Sequence, residues 1–471
     1  MVNDAGADAE LTATAPVPTP RLDPVLRFGA LFGIGLASSL GIFVLKWSSL
    51  TDRLQSGGVG DVSFAFAIAA LVCLCTALAL ADLAARHPSA GGAFSYCHRS
   101  LGPFVGNLVG WCLVLEFTVV ASSAARGWAG TTFPIRFEHE ASLPAAVAAF
   151  SAFLLLLLRI RIMAAILIGL VAVQLVAALL FAGAAVAGAG EPTAYMPAVA
   201  ESLIGSPSPA IVLFLTAMTG FEVVAMAGED AVRPRRTVPW AIVTCVLTML
   251  LLYFSVTLAV FSLAALPATS GPAQESAQLV LALAGDKLGS ALVTISTQVG
   301  YPAMLLALCY AQVRLYLAMS RRRLLPGWFA RVSTTGIPIR LTLLCGAITA
   351  LLATFGPPET LIGLAEAILP FVFAMIALSL LISRWRSGED EPETEHGFEV
   401  PLPWFVAAIS LFGCGYVFFH LSADLYWQVA GWLFAAVLAS LIAYFRGELP
   451  SGLDPAETIG ETTAEGWLEQ L

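Results

Sequence analysis

Residues 162–187 read IMAAILIGLVAVQLVAALLFAGAAVA, an apolar stretch with no charged residue and one strongly polar residue, Gln174. A helix needs about 20 consecutive apolar residues to cross the hydrocarbon core of a bilayer. The stretch also lacks the alternation of apolar and polar residues that is typical of barrel strands in membranes. It therefore predicts a membrane-spanning α-helix.

Comparable apolar runs recur along the whole chain, which is 58% hydrophobic and only 12% charged. Soluble domains carry about twice that charged fraction. The sequence therefore predicts an all-α integral membrane protein with twelve transmembrane helices. The runs at 102–133 and 286–319 exceed one bilayer thickness, so we expect them to tilt or to project into water. The twelve runs lie at 27–45, 62–84, 102–133, 143–160, 163–187, 209–232, 238–264, 286–319, 338–356, 359–383, 402–420 and 424–445.

The lysines and arginines predict the orientation of the chain. With the N-terminus placed inside, 17 of the 23 fall in inner segments, two fall within spans and four fall in outer loops. Cytoplasmic loops carry an excess of basic residues. Both termini are therefore predicted to be cytoplasmic, and the protein is predicted to lie in the cell (inner) membrane. The four outer residues are Lys46, Arg53, Arg136 and Lys287.

The segments between and beyond the spans complete the domain organisation. We expect a disordered cytoplasmic tail at 1–24, a cytoplasmic loop at 384–400, spans 11 and 12 at 401–446, and a second cytoplasmic tail at 447–471. The net charge of −9 argues against a nucleic-acid partner, which needs a basic surface. The cysteines and histidines show no metal-ligand spacing, so we predict no metal centre and no cofactor.

Two spans contain residues that disfavour a continuous helix. The first span reads GIGLASSLGIF at 33–43, and the sixth reads TAMTGFE at 216–222. Matching interruptions in two halves of a transporter mark a solute site, because unwound backbone offers N–H and C=O groups to a ligand. Close helix packing is the alternative for the first span taken alone. The predicted binding residues are Ser38, Ser39, Leu40, Gly41, Ile42, Met218, Thr219, Gly220, Phe221 and Glu222.

Carboxylates within the spans are candidates for ion coupling or gating, because an unpaired charge in the bilayer is costly. Glu222 adjoins the sixth-span interruption, where we expect a proton acceptor or a cation contact. For Glu116 a structural hydrogen bond is an equal alternative, and Glu366 is either a buried neutral acid or a gate residue. The acids and bases at 229–236 form either an ordinary inner turn or an inner gate of ion pairs.

Several motifs occur in a fixed order along the chain. Residues 88–96 read PSAGGAFSY and are followed by Gly110-Trp111 and by Leu-Glu-Phe at 115–117; residues 229–239 read EDAVRPRRTVP, and residues 318–326 read AMSRRRLLP. With these motifs the chain resembles the amino acid–polyamine–organocation (APC) superfamily of transporters, from about residue 27 to residue 445. The segment from 115 to 128 is most similar to its cationic-amino-acid-transporter-like branch.

The resemblance implies a leucine-transporter-type fold, with two inverted five-helix repeats and two extra helices. The repeats would lie at about 25–187 and 208–383, which together make a transport core at 25–383. The resemblance also implies a solute bound between the first and sixth spans and alternating access.

The chain departs from the family pattern in two places. Leu40 stands where the first-span motif of the family has a small polar residue. The fifth span lacks the lysine that some relatives use for proton coupling, and Gln174 is its only strongly polar side chain. Ser296 and Thr297, with the carbonyl of Ala37, are candidates for a sodium site, although helix packing accounts for them equally well.

The function predicted from these features is secondary active transport of an amino acid or related amine, coupled to protons, sodium or exchange. Its partners would be a small solute and the lipid bilayer. A permease for ethanolamine-like amines or polyamines is one alternative, and a solute sensor that keeps the fold without carrying flux is another. We find no catalytic constellation in the sequence, so we do not expect an enzyme.

Overall fold

The computed structural model describes residues 24–445 apart from 57–58, 134–141, 189–209, 265–275, 323, 326–328, 330–331, 334–336, 356–358 and 387–396. Apart from Pro24, the predicted tails at 1–24 and 447–471 lie outside the described residues. So does most of the predicted loop at 384–400.

The described part of the chain is helical throughout. Its elements are α1 (Phe28–Ser56), α2 (Val59–Arg86), α3 (Gly92–Leu101), α4 (Pro103–Thr132), α5 (Ser142–Leu155), α6 (Ile160–Gly188), α7 (Ala210–Ala217), a 3-10 helix (Phe221–Ala227), α8 (Pro234–Ala264), α9 (Ser276–Arg321), α10 (Ile339–Phe355), α11 (Glu359–Arg386), α12 (Pro403–Phe419) and α13 (Ala423–Phe445).

Each apolar run predicted from the sequence coincides with one of these helices or, for the sixth run, with α7 and the 3-10 helix. Among the described residues, eight helices are long and apolar enough to cross a membrane, and four apolar segments are shorter. Large apolar side chains such as Phe412, Phe419 and Trp427 are 80% exposed. Such a surface suits a chain whose solvent is lipid.

The helices of the two longest apolar runs, α4 and α9, both exceed the thickness of a bilayer, as their sequences predict. α4 has 30 residues and α9 has 46, which at 1.5 Å per residue gives α9 a length of about 70 Å. α4 packs along α9, and α1 contacts α6, α8, α9 and the 3-10 helix. α1 therefore lies inside the helical assembly, where its glycines meet four other elements.

The sixth span is interrupted as predicted. α7 ends at Ala217, Gly220 has a φ of 105°, and the 3-10 helix begins at Phe221. A positive φ of this kind strains any residue with a side chain. Glycine at 220 therefore permits the change of direction between the two half-helices.

The prediction that the first span is also interrupted is wrong, because α1 is a continuous helix through 33–43. Its glycines serve close packing instead. A Cβ atom added at Gly35 would lie 2.5 Å from Cγ2 of Val224, and one at Gly41 would lie 2.2 Å from Cβ of Met304. The small residues of the first span thus let α8, α9 and the 3-10 helix approach the α1 backbone.

Candidate functional site

The interruption in the sixth span packs directly against the middle of α1. A Cβ atom added at Gly220 would lie 2.6 Å from the backbone nitrogen of Ser39. Ser39 is fully buried, and its Oγ lies 3.9 Å from Sγ of Cys245. The structure therefore brings the predicted first-span residues and sixth-span residues together at one crossing.

Glu222 binds the backbone at this crossing. Its two carboxylate oxygens accept a hydrogen bond from the N–H of Gly220 at 3.0 and 2.9 Å, and the residue is 1% exposed. The N-terminus of the 3-10 helix thus already holds a carboxylate of the protein. The N–H of Gly220, one of the backbone groups at the interruption that we expected to be offered to a ligand, is therefore occupied by Glu222.

The carbonyl groups at the end of α7 are also satisfied within the protein. Tyr253 donates its hydroxyl hydrogen to the carbonyl of Ala217, and Thr219 Oγ1 donates to the carbonyl of Thr216 at 2.7 Å. Carbonyls at a helix end need such partners when water is excluded. The interruption is therefore closed by side chains rather than left open.

A small cavity lies beside the crossing, between α1, α4, α7 and α11. Its volume is about 30 Å³, enough for a water molecule or two and far below the hundreds of Å³ of ordinary ligand pockets. One carboxylate oxygen of Glu116 is buried with no hydrogen-bond partner in the described structure. The cavity is lined by Ile42, Leu45, Lys46, Glu116, Val119, Val120, Ser123, Thr216, Thr219, Ile362, Ala365, Glu366 and Leu369.

An ion pair joins α1 to α11 in the wall of this cavity. Lys46 pairs with Glu366, and both side chains are largely buried. From the sequence, Glu366 was predicted to be either a buried neutral acid or a gate residue, and Lys46 was predicted to lie in an outer loop. The contact pairs the two charges and links the first span to the tenth.

A second set of ion pairs lies at the opposite end of α1. Asp230, which follows the 3-10 helix, is held by Nε and Nη2 of Arg314 at 2.8 and 3.0 Å. The hydroxyl of Tyr310 donates to the same carboxylate at 2.6 Å. The backbone N–H groups of Val25 and Leu26 donate to the Asp230 carbonyl. The buried carboxylate of Asp230 is thus paired with a cation and hydrogen-bonded by a hydroxyl group.

Three of the sequence motifs converge on the neighbouring acid, Glu229. Its carboxylate accepts hydrogen bonds from the N–H of Ala90 at 3.1 Å and from Nη1 of Arg321 at 2.6 Å. These residues come from the motifs at 88–96, 229–239 and 318–326. The acids at 229–230 are therefore part of an ion-pair network that ties four segments together, and an ordinary turn does not describe them.

Gln174, Ser296 and Thr297 line a separate cavity of about 90 Å³, together with Leu40 and apolar side chains of α1, α6, α8 and α9. Both polar atoms of the Gln174 amide are buried without a hydrogen-bond partner. Gly41 of α1 packs against Met304 of α9. Met304 follows Thr297 by seven residues and Ser296 by eight, which is about 10 Å along the helix. Ala37 is buried and does not line this cavity, so the cavity does not bring the three proposed sodium ligands together.

The remaining predicted binding residues are buried near the crossing. Ser38 and Met218 are at most 2% exposed, and the Oγ of Ser38 has no partner in the described residues. Phe221 packs against Phe373 with ring centroids 5.7 Å apart. These side chains form the packed surround of the crossing, while Ile42 and Thr219 face the cavity.

Sequence reasoning missed a cluster around Asp82 at the end of α2. Asp82 is fully buried and accepts hydrogen bonds from Arg86, from Arg384 and from the N–H of Val400. The four-residue spacing of Asp82 and Arg86 was a signal for their helical pair. Nothing in the sequence indicated the contacts with α11 and with the segment before α12.

The sequence model of a family described as "Amino acid permease" matches residues 28–441. The chain belongs to the amino acid permease family. The predicted membership of the APC superfamily is thus confirmed, and this permease is a transporter rather than an enzyme. Its relatives and apolar helices also make it a multi-pass membrane protein.

Several transporters of known name align with most of the permease. It is 26% identical to the methylthioribose transporter of Bacillus subtilis (87% of this chain, 90% of the relative) and 25% identical to the branched-chain amino acid permease of the same organism (88% and 90%). It is 30% identical to the mitochondrial cationic amino acid transporter 3 of Arabidopsis thaliana, with 81% of this chain and 64% of the relative aligned. The likeness to the cationic-amino-acid-transporter branch is confirmed by this match.

A solved structure shares the fold. The manganese transporter of Eremococcus coleocola aligns with a TM-score of 0.52 over 92% of the permease and 98% of its own chain, at 13% identity. At that identity the likeness concerns the fold alone. It supports an all-helical transporter fold for the permease.

Proposed function

We propose that the permease is a secondary active transporter that carries an amino acid or a related amine by alternating access. The observation that carries this proposal is the cavity at Glu116, which lies between two sets of ion pairs. Lys46 and Glu366 connect α1 to α11 in its wall, and Asp230 and Arg314 connect the sixth-span segment to α9 at the other end of α1. Opening either set in turn would expose the cavity to one side of the membrane.

The chemistry of the cavity favours a solute with an amino group. The unpartnered oxygen of Glu116 is a hydrogen-bond acceptor that an ammonium group would satisfy. Thr216 and Thr219 add hydroxyl groups, and Ile42 adds an apolar wall. Relatives named for cationic and for branched-chain amino acids support the same solute class. Ethanolamine-like amines and polyamines carry the same group and remain the alternative solutes.

The volume of about 30 Å³ identifies this conformation as a closed one. An amino acid would need the walls to separate before it could enter. A closed site between two gates is what an alternating-access cycle requires between its open states.

We further propose twelve membrane crossings, inverted repeats at about 25–187 and 208–383, a cell-membrane location and cytoplasmic termini. The distribution of 17 inner and four outer basic residues supports the orientation. The correspondence of each predicted apolar run with helical structure supports the number of crossings.

Protons are the coupling ion that the geometry favours. Glu116 and Glu222 are two buried carboxylates at or beside the site, whereas Ala37 does not line the cavity that holds Ser296 and Thr297. Sodium coupling and exchange without net ion movement are alternative outcomes of the transport experiment.

Uptake into proteoliposomes tests the proposal. Purified permease is reconstituted and assayed with radiolabelled cationic, branched-chain and small neutral amino acids, ethanolamine, a polyamine and methylthioribose, with imposed proton or sodium gradients. We expect saturable uptake of an amine-bearing solute, and a reduction of roughly ten-fold or more in Glu116→Gln, because a charge-assisted hydrogen bond is lost. Asp424→Asn, which removes an exposed acid on α13, is the control and should transport normally.

Two results would contradict this function. Absence of uptake and exchange across the whole panel would exclude transport of these solutes. Saturable binding without flux would favour the solute sensor instead.

A further inference from the structure

A third cavity, of about 380 Å³, opens near those ends of the helices that the basic residues predict to be cytoplasmic. Its walls come from the start of α1, the linker between α5 and α6, the loop after the 3-10 helix, the last third of α9 and the start of α10. The transport proposal uses the Asp230–Arg314 ion pair in its wall but leaves the cavity itself unassigned. The ionisable residues in its lining, besides Tyr310, are Arg159, Arg161, Arg314 and Asp230.

Arg314 lines this cavity and has one donor without a partner. Its Nε and Nη2 are engaged by Asp230, but Nη1 is buried and has no hydrogen-bond partner in the described residues. The residue is 93% buried, since 7% of its surface is exposed. An unsatisfied N–H of a buried guanidinium costs free energy that a bound acceptor would recover.

The electrostatics of the cavity favour an anion. Three arginines face one aspartate, so the lining carries a net charge of +2. α6 begins at Ile160, in the cavity wall, and the N-terminus of a helix adds a partial positive charge. Arginines at the start of a helix oppose its dipole, which makes Arg159 and Arg161 unfavourable there without a counter-charge. The need for basic residues on the inner side accounts for Arg159 and Arg161, but it does not account for the buried Nη1 of Arg314.

We propose that this inner cavity is a binding site for a phosphate-bearing anion, with the guanidinium group of Arg314 at its base and Arg159 and Arg161 at its mouth. A planar guanidinium suits the oxygens of phosphate. The same chemistry is offered by the headgroup of an anionic phospholipid and by a soluble phosphate. Leu156, Leu158 and Met163 give the cavity an apolar side that would also accommodate the start of an acyl chain.

A binding experiment on the full-length protein in neutral detergent tests this site without measuring transport. The protein is titrated by calorimetry with short-chain phosphatidylglycerol, with short-chain phosphatidylcholine of equal chain length, and with inorganic phosphate. Three variants are compared with the wild type: the double variant Arg159→Gln/Arg161→Gln, Arg314→Lys, and Arg340→Gln as a control. Arg340 is exposed on the same inner side but does not line the cavity.

We expect saturable binding of phosphatidylglycerol that is roughly ten-fold tighter than that of phosphatidylcholine, and roughly ten-fold weaker in the double variant. Arg314→Lys keeps a cation beside Asp230 but lacks the third nitrogen, so its binding should also weaken. Arg340→Gln should bind like the wild type. Binding of inorganic phosphate with the same arginine dependence would assign the site to a soluble anion, and its absence would assign it to the lipid headgroup.

The proposal would be overturned by equal affinities for the two lipids together with no binding of phosphate. It would also be overturned by unchanged affinity in both arginine variants. Either result leaves the proposed solute site untouched, because the assay measures binding rather than transport and the cavity at Glu116 shares no lining residue with this one.

Discussion

Gly220 is the residue on which the crossing of the first and sixth spans depends most directly. Its φ of 105° is a conformation that residues with a side chain rarely adopt. A Cβ atom there would also lie 2.6 and 2.8 Å from the backbone nitrogen and Cα of Ser39. These are backbone atoms of a continuous helix, so they cannot move aside as the end of a flexible side chain could.

We therefore expect Gly220→Ala to lower proteoliposome uptake by roughly ten-fold or more and to lower thermal stability, since a strained residue at a special φ costs about 1–3 kcal/mol. Gly169→Ala is the matched control, because Gly169 lies on exposed α6 surface with no atom within 4 Å of an added Cβ. Normal uptake by Gly220→Ala would show that the crossing tolerates a side chain and that its geometry is not essential to transport.

The glycines also show what a sequence can predict at the level of single residues. Gly220 and Gly41 both lie within apolar runs beside polar residues, and the same pattern predicted an interruption at each. One lies at a real change of direction and the other packs on Met304. The difference depends on contacts with helices distant in sequence, which no local pattern records.

At the level of helices, Lys46 and Glu366 connect the first span to the tenth across the candidate solute cavity. If this pair closes one side of the site, its strength should set how readily that side opens. Removing one partner leaves the other charge buried and unpaired, which is costly.

We expect Lys46→Glu and Glu366→Lys each to reduce uptake by roughly ten-fold or more, because each places like charges side by side in the cavity wall. The double charge reversal Lys46→Glu/Glu366→Lys should recover a substantial part of the rate. The double variant Lys46→Gln/Glu366→Gln removes both charges but keeps long polar side chains, so it tests whether the charges themselves are needed. Effects that simply add in the double reversal, with no recovery, would contradict a functional ion pair.

The helices themselves were predicted well, because membrane solubility leaves a direct signal in the length of an apolar run. α3 was missed as a separate helix, since its ten residues are amphipathic and carry no such signal. The side-chain contacts of the helices were predicted only in part. The sequence singled out Glu366 but not its partner Lys46, because one lies 320 residues from the other.

At the scale of the whole molecule, segments near residues 90, 229 and 321 meet in one ion-pair network. The motif resemblance predicted the family fold, but the sequence gave no indication that these three segments meet. The same limit applies to the Asp82 cluster and to the inner arginine cavity, since both assemble from elements far apart in the chain.

The orientation and the number of crossings form one prediction that site-specific labelling can check. All eight cysteines are buried, so a membrane-impermeant maleimide should give a low background. Thr131 is exposed at the end of α4, and Arg340 is exposed at the start of α10. Five proposed crossings separate these positions, namely α5, α6, the interrupted sixth span, α8 and α9. Two of the five, α5 and the sixth span, are among the shorter apolar segments.

An odd number of crossings places the two residues on opposite faces of the membrane. With cytoplasmic termini, Thr131→Cys should label in intact cells, whereas Arg340→Cys should label only after the membrane is permeabilised. The reverse pattern would invert the orientation inferred from the basic residues. Labelling of both positions from the same side would mean that one of the short segments does not cross the membrane. α5 is the shortest of the five, with 14 residues. It is about 21 Å long and depends on its neighbours to span a core of about 30 Å.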